Sequence, residues 1–258
     1  MYNPLSKKWD KVEWVLTDVD DTLTWQGKLP KETLIALESL QDNNIKIIAV
    51  TGACAGWCDH IAQLWPVDAV IGENGAFTIE KQKRGVTLST SIPLDIMQAN
   101  QHKLKEQIHT ILERYPDMSF TLDQAYRLCE VAIDIGQNRE PVQGEVVEAI
   151  LSEIRQLGVK ATASSIHINA WIGEHSKHHS TFSFLRAQGL SEPAILERCC
   201  YVGDSLNDEQ MFASLPLTAG VSNIKKYWPV LRSKPSIVME KSGGYGFAEF
   251  TRWLLERK

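Results

Sequence analysis

The chain has 258 residues and a formal net charge of −5, with 27 Lys and Arg against 32 Asp and Glu. That length holds one large domain or two smaller ones, and the acidic balance, with no basic stripe interleaved with aromatics, argues against a nucleic-acid binder. No apolar run approaches membrane-spanning length and Met1 to Asp10 lacks a signal-peptide pattern, so a soluble cytoplasmic protein without membrane partners is expected.

The first informative segment is Trp14-Val15-Leu16-Thr17-Asp18-Val19-Asp20-Asp21-Thr22-Leu23-Thr24, a short apolar run that ends in three carboxylates, a hydroxyl and a turn. The run reads as a buried strand of a parallel sheet, and open α/β sheets bind ligands at the C-terminal ends of such strands. Acids crowded there repel one another unless a cation or a shared proton relieves them; an Asp-rich turn is the plain alternative. A helix is expected over 31–41, with Leu34, Leu37 and Leu40 on one stripe. The strand Ile47-Ile48-Ala49-Val50 then ends in Thr51-Gly52, and a helix over 56–64 and a strand over 69–71 follow. This βαβαβ order predicts a parallel, doubly wound sheet.

Near Lys81 the pattern changes. Residues 77–79 and 86–88 alternate like a hairpin, and a long helix is expected over 94–114, with Ile96, Leu104, Ile108 and Ile111 apolar. A strand over 126–135, a helix over 142–157 and a strand over 160–172 complete a compact α+β insert. More than a hundred residues separate Thr51-Gly52 from Lys177, and a connection of that length carries structure of its own. Within it, alternation puts Ser165, His167, Asn169 and Trp171 on one face of a strand. That face is either an exposed sheet surface or a polyol-binding surface, since sugars are held by polar groups and an aromatic plane. Arg127 and Glu130 are weaker candidates of the same kind.

From Lys177 the core pattern resumes with a helix to 188 and a strand to Val202. The segment Gly203-Asp204-Ser205-Leu206-Asn207-Asp208 then repeats the design of the first acidic strand end. Ser205 also suits a helix cap, with Asp208 in the first turn. Two carboxylate-bearing strand ends point to one hard-cation site, and oxygen ligation with room for water suits Mg²⁺. The hydroxyl of Thr51, the backbone at Gly52 and the ammonium of Lys177 are what a phosphoryl group needs around it. A helix over 208–213 and short strands over 217–219 and 237–239 follow, and Gly243-Gly244-Tyr245-Gly246 reads as a loop before the last helix, without a Walker pattern. The five cysteines lack knuckle spacing and read as free, buried thiols. His175, His178 and His179 read as a hinge surface in preference to a metal site.

Taken in order, Asp18-Val-Asp20-Asp21-Thr22, Thr51-Gly52, Lys177 and Gly203-Asp204-Ser205-Leu-Asn207-Asp208 resemble the four motifs of the haloacid dehalogenase (HAD) superfamily of phosphotransferases. Gly72-Glu73-Asn74-Gly75-Ala76 and Gly220-Val221-Ser222-Asn223 are similar to its Cof-like, type IIB sugar-phosphatase branch. The resemblance covers the two ends of the chain well and the middle loosely. It implies a Rossmann-like, doubly wound core over 1–82 and 177–258, with an inserted α+β C2-type cap of the C2B kind over 83–176 that sets substrate specificity.

The resemblance also implies roles. Asp18 is the expected nucleophile, forming an aspartyl phosphate, and Asp20 the acid and later the base, lending its backbone carbonyl to Mg²⁺. Asp204 is the expected remaining carboxylate on the metal, with Asp208 held through water or orienting the others. Thr51, Gly52 and Lys177 are expected on the phosphoryl group, and Asn74, Asn207, His167 and Asn169 on phosphate or substrate. Two positions depart from the pattern: Asp21 stands where many relatives have Gly, and Ala53 where many Cof-like relatives have Arg. The expected activity is Mg²⁺-dependent hydrolysis of a small phosphomonoester, a sugar phosphate or phosphoglycerate derivative, by a monomer or homodimer. A phosphosugar mutase, with a similar cap and Asp-Val-Asp start, and a non-catalytic sugar-phosphate-binding protein are the alternatives.

Overall fold

The computed structural model describes residues 8–164 and 166–258. Strands β1 (Trp14–Thr17), β2 (Lys46–Val50) and β3 (Ala69–Gly72) alternate with helices α1 (Lys31–Asp42) and α2 (Ala55–Leu64). Every residue of β1 and β3 is buried, as parallel strands covered on both faces must be. A hairpin of β4 (Phe77–Lys81) and β5 (Val86–Thr90) continues the sheet antiparallel to β3. The insert follows as α3 (Leu94–Leu112), β6 (Val131–Asp134), α4 (Gly144–Gln156), β7 (Lys160–Ala163) and β8 (His167–Trp171). The chain returns through α5 (Lys177–Ala187), α6 (Glu192–Arg198), β9 (Cys199–Gly203), α7 (Glu209–Ser214), β10 (Thr218–Gly220), β11 (Ile237–Val238) and α8 (Gly243–Leu255).

Among the described residues the large sheet runs β11-β10-β9-β1-β2-β3-β4-β5. It is parallel from β11 to β3, with β1 at the point where the strand order reverses. Alternate strand residues face opposite sides. Val15, Ile47, Val70 and Cys200 pack with residues of α1, α2 and α8, while Leu16, Ile48, Ile71 and Tyr201 pack with α5, α6 and α7. Both sides of the sheet are therefore sealed, and the functional edge is left at the strand ends. Register fixes that edge: Thr17 pairs with Ala49 on one side and Val202 on the other. The residues that follow each strand thus emerge together.

The insert has a core of its own. Leu104 and Ile108 of α3, with Val147, Ile150 and Ile154 of α4, cover Val131, Ile133, Ile168 and Ala170 on one face of the antiparallel sheet β6-β8-β7. The other face carries Thr162, His167 and Asn169 toward the large domain.

Four expectations change. The run 160–172 is a hairpin, not one strand: the Ser164 hydroxyl accepts the N–H of Ile166 and of His167, turning the chain between β7 and β8. Ser165 lies outside the described residues. In 126–135 only Val131–Asp134 is strand, because Leu122–Tyr126 forms a 3₁₀ turn and 127–130 is tied to the core. The division at 82/83 cuts the β4–β5 hairpin, whose second strand belongs to the large sheet. Finally, the run 243–246 is the first turn of α8. Its glycines serve close packing: a Cβ on Gly244 would lie 2.0 Å from the Thr33 hydroxyl and 2.4 Å from the Leu23 carbonyl. All five cysteines are free and buried, and no described helix is long and apolar enough to cross a membrane.

Gly244→Ala should therefore lower the unfolding free energy by about 3 kcal/mol, measured by urea denaturation. Gly144→Ala, at the start of α4 with open space around its added methyl group, should stay within about 0.5 kcal/mol of the parent.

Candidate active site

Asp18 leaves β1 with its N–H bonded to the Val202 carbonyl at 2.9 Å, so the nucleophilic candidate is held by the sheet itself. Oxygens of Asp18, Asp204 and Asp208 lie within 4.8 Å of one another, and all three residues are buried. Lys177, the first residue of α5, reaches into this cluster, with Nζ 2.5 Å from Asp18 Oδ1 and 3.0 Å from Asp208 Oδ1. The helix start is fixed by Ser176, whose hydroxyl accepts the His179 N–H.

Asp208 is fully engaged. Its Oδ1 also accepts the Tyr201 hydroxyl at 2.5 Å, and its Oδ2 accepts the N–H of Asp204 at 3.0 Å and of Ser205 at 3.1 Å. A carboxylate with four donors on two oxygens has no lone pair left to offer a metal, so Asp208 orients Lys177 and the Asp204 turn. Gly203 is required beside it, since an added Cβ would sit 2.5 Å from Asp208 Oδ2. Asp204 accepts Thr22 Oγ1 at 3.4 Å and Asn223 Nδ2 at 2.8 Å. Asn223 also donates to the Asp21 carbonyl and accepts the Gly243 N–H, both at 3.0 Å, which ties three separate loops behind the carboxylates.

Burial dominates the electrostatics. It pushes the Asp18 carboxyl up to about 8 despite the attraction of Lys177, with Asp208 adding repulsion. Burial and then the neighbouring charge of Asp21 raise Asp20 to about 6, and Asp204 is raised well above its usual range by burial and by Asp18. Burial opposes the charge of Lys177, but Asp18 and Asp208 outweigh it and keep the ammonium protonated. Clustered buried carboxylates facing one buried ammonium leave uncompensated negative charge. A hard divalent cation offsets that charge, and an all-oxygen donor set matches Mg²⁺.

The end of β2 adds the other half of the site. The Thr51 hydroxyl accepts the Ala53 N–H at 2.9 Å. The Gly52 carbonyl accepts Arg127 Nη1 at 2.9 Å and Asn169 Nδ2 at 3.1 Å, both from the insert. Glu73 and Asn74 both adopt positive φ, at 42° and 50°, a costly pair for residues with a Cβ. The strain places the buried Glu73 carboxylate on the N–H groups of Ala55, Leu128, Cys129 and Glu130, at 2.7 to 3.2 Å. It places Asn74 Nδ2 on Glu130 Oε1 at 2.7 Å. Glu130 in turn accepts Asn169 at 2.8 Å and Arg127 at 3.2 Å, and burial pushes it up to about 8. Arg127 also pairs with Asp123 at 3.2 Å. Arg127 and Glu130, weak candidates on sequence, thus stand at the centre of the junction between core and insert. No sequence signal marked them for that junction, because the run 126–135 reads as one strand and only the structure shows 127–130 outside it.

Asp18, Asp20, Gly52, Asn74, His167, Asn169, Asp204 and Asn207 line one closed cavity of about 20 Å³, room on the order of one water. Asn207 accepts the Ser205 hydroxyl at 2.7 Å. His167 Nε2 lies 2.6 Å from Gln137 Oε1, and burial holds the imidazole down to about 4. The strand face expected as an exposed sheet surface or a polyol surface is buried throughout β8, and the Trp171 indole N–H donates to the His175 carbonyl at 3.2 Å while its ring stacks on His175 at 5.4 Å. His175 precedes α5, so it shares no helical face with His179, and His178 packs on Phe182.

Residues 15–125 match the family model described as haloacid dehalogenase-like hydrolase. Among solved structures the chain is similar to a HAD/COF-like hydrolase from Plasmodium vivax, at 15% identity and TM-score 0.68 over 96% of this chain and 97% of that one. It is similar to the sucrose-phosphatase of Synechocystis sp. PCC6803, solved with sucrose and phosphate, at 12% identity and TM-score 0.66 over 95% and 98%. It is also similar to a HAD subclass IIB sugar phosphatase, at 14% identity and TM-score 0.61 over 96% and 100%. Likeness at these identities speaks to the fold. No curated protein matches in sequence.

Glu73→Gln should lower stability by about 1–3 kcal/mol, because one oxygen that faces N–H donors becomes an amide donor; equal unfolding midpoints would contradict the clamp. His167 and His175, both lowered to about 4 by burial, should keep neutral-form ring NMR shifts down to about pH 5. Midpoints near the ordinary value of about 6.5 would contradict their burial.

Proposed function

We infer that this chain, a haloacid dehalogenase-like hydrolase, is a Mg²⁺-dependent phosphatase that acts through an aspartyl phosphate on Asp18. The substrate is a small phosphorylated metabolite, a sugar phosphate or phosphoglycerate derivative. One observation carries the reading: Asp18 sits at the head of the central strand, its carboxylate 2.5 Å from the Lys177 ammonium, in a cavity shared with Asp20 and Asp204. The likeness to folds of sugar phosphatases supports the choice of substrate class.

Asp18 attacks phosphorus, a P–O bond forms to its carboxylate, and the ester P–O bond breaks. Asp20, two residues on in the same cavity, gives its proton to the departing alkoxide oxygen. The Asp20 carboxylate then takes a proton from the water that attacks the acyl phosphate, releasing phosphate and restoring Asp18. Thr51, the Gly52 amide and Lys177 hold the phosphoryl oxygens while charge builds on them. Asp208 keeps Lys177 aimed at Asp18 through its 3.0 Å contact. Asp18, Asp204 and the Asp20 carbonyl would hold Mg²⁺, which supplies charge neutralisation between an anionic substrate and the acid cluster. His167 and Asn169 present polar groups from the insert, and the buried Asn169 Oδ1 makes no hydrogen bond among the described residues.

A cavity of about 20 Å³ is far too small for a sugar phosphate. Substrate therefore binds with the insert farther from the core strand ends than it stands here.

Phosphate release from a panel of sugar, polyol and glycerate phosphates should require Mg²⁺ and stop with EDTA. Asp18→Asn should lower kcat about 10³-fold or more, and Asp20→Asn roughly 10²–10⁴-fold for alkyl esters. Activity of Asp18→Asn within tenfold of the parent would overturn the covalent route.

A further inference from the structure

We propose that Glu130 is a positioning residue for phosphoryl transfer: from behind the cavity wall its carboxylate fixes the Asn74 and Asn169 amides and, with Arg127, holds the Gly52 end of the phosphate site. The proposal rests on the phosphatase reading and adds a residue that touches neither the substrate nor the reacting atoms.

The hydrogen bonds converge on one carboxylate. Glu130 Oε1 accepts Asn74 Nδ2 at 2.7 Å, and Oε2 accepts Asn169 Nδ2 at 2.8 Å and Arg127 Nη1 at 3.2 Å. Arg127 Nη1 and Asn169 Nδ2 also donate to the Gly52 carbonyl. Asn74, Asn169 and Gly52 line the reaction cavity beside Asp18, whereas Glu130 is fully buried behind them. Gly52 is wedged between the two amides, for an added Cβ would lie 2.9 Å from Asn169 Nδ2 and 3.0 Å from Asn74 Nδ2. Glu130 is itself anchored to the core, its N–H donating to Glu73 Oε2 at 2.8 Å.

The carboxylate decides which end of each amide is free. Asn169 spends both N–H groups, one on Glu130 and one on Gly52, so its Oδ1 is the atom left over. That oxygen is buried and makes no hydrogen bond among the described residues. Asn74, Asn169 and Arg127 all meet the Glu130 oxygens as donors. A proton on either oxygen therefore finds no acceptor among them unless an amide turns over. Turning Asn169 would set its Oδ1 against the Gly52 carbonyl, so Asn74 is the amide that turns. Loss of the charge also weakens the hold on Arg127 and Asn169, and with it the hold on Gly52.

The charged surroundings fix the direction of the effect. Glu130 faces Arg127 from its own segment, Glu73 from the turn after β3 and the Cys129 thiol, which burial pushes up. Asp123 shares the Arg127 guanidinium, and β8 brings Asn169 together with His167, whose imidazole burial keeps neutral. Burial pushes the Glu130 carboxyl up to about 8 against the pull of Arg127, with Glu73 adding repulsion. The positioning carboxylate is therefore gained as pH rises through that value and lost below it.

The test follows kcat/KM for acetyl phosphate, whose acetate leaves without a proton, with Mg²⁺ from pH 6 to 9.5 in the parent, Glu130→Gln and Asp18→Asn. Glutamine keeps the shape of the side chain and stands in for the protonated acid. The parent should exceed Glu130→Gln by about tenfold or more at pH 9 and match it within about threefold at pH 6. The ratio should titrate with a midpoint near 8, and reacting acids common to both proteins cancel in it. A ratio that stays constant with pH makes Glu130 a structural residue only and overturns the proposal. In the parent, the side-chain amide NMR signals of Asn74 should shift with the same midpoint. Signals unmoved from pH 6 to 9.5 overturn the proposal even where Glu130→Gln does not fold. Absence of phosphate release by the parent, or its survival in Asp18→Asn, overturns the phosphatase reading instead.

Discussion

A buried ammonium among buried carboxylates governs this molecule. Lys177 bridges Asp18 and Asp208 at 2.5 and 3.0 Å, joining the first residue after β1 to the first turn after β9 across a sequence gap that contains the whole insert. An uncompensated charge at this depth is strongly unfavourable, so the return of the chain into the core is fixed by electrostatics as well as by packing. One ammonium does not balance the surrounding acids, and burial raises the Asp18, Asp20 and Asp204 carboxyls above their usual range.

The second constraint is the clamp between core and insert. Glu73 accepts backbone N–H groups from 128–130, and Arg127 and Asn169 both donate to the Gly52 carbonyl. Apolar contacts accompany them: Met97, Cys129 and Trp171 pack into the core of the large domain, while the insert keeps a second core of its own. The positive φ of Glu73 and Asn74 is the local cost of docking.

Much of the core was legible in the chain. Apolar runs gave β1, β2, β3 and β9, and the acids after β1 and β9 emerge side by side because parallel register brings strand ends together. Lys177, unremarkable by itself, was legible only from its place in the order of motifs. Less legible was everything that depends on distant partners. The glycines at 243–246 look like a loop until Thr33 and Leu23 press against Gly244. Arg127 and Glu130 look like strand residues until Glu73, more than fifty positions away, captures the backbone between them. Trp171 shares a strand with His167 and Asn169 but turns its ring to His175. Periodicity reports the face of an element, and tertiary contacts decide what that face meets.

The central claim is that Asp18 carries the phosphoryl group during turnover. Rapid acid quench during turnover of a sugar phosphate, followed by mass mapping, tests it directly. The account predicts one phosphoryl group on the peptide containing Asp18, removed by hydroxylamine and absent from Asp18→Asn. Turnover with no phosphorylated peptide at any quench time, alongside an active Asp18→Asn variant, would contradict it.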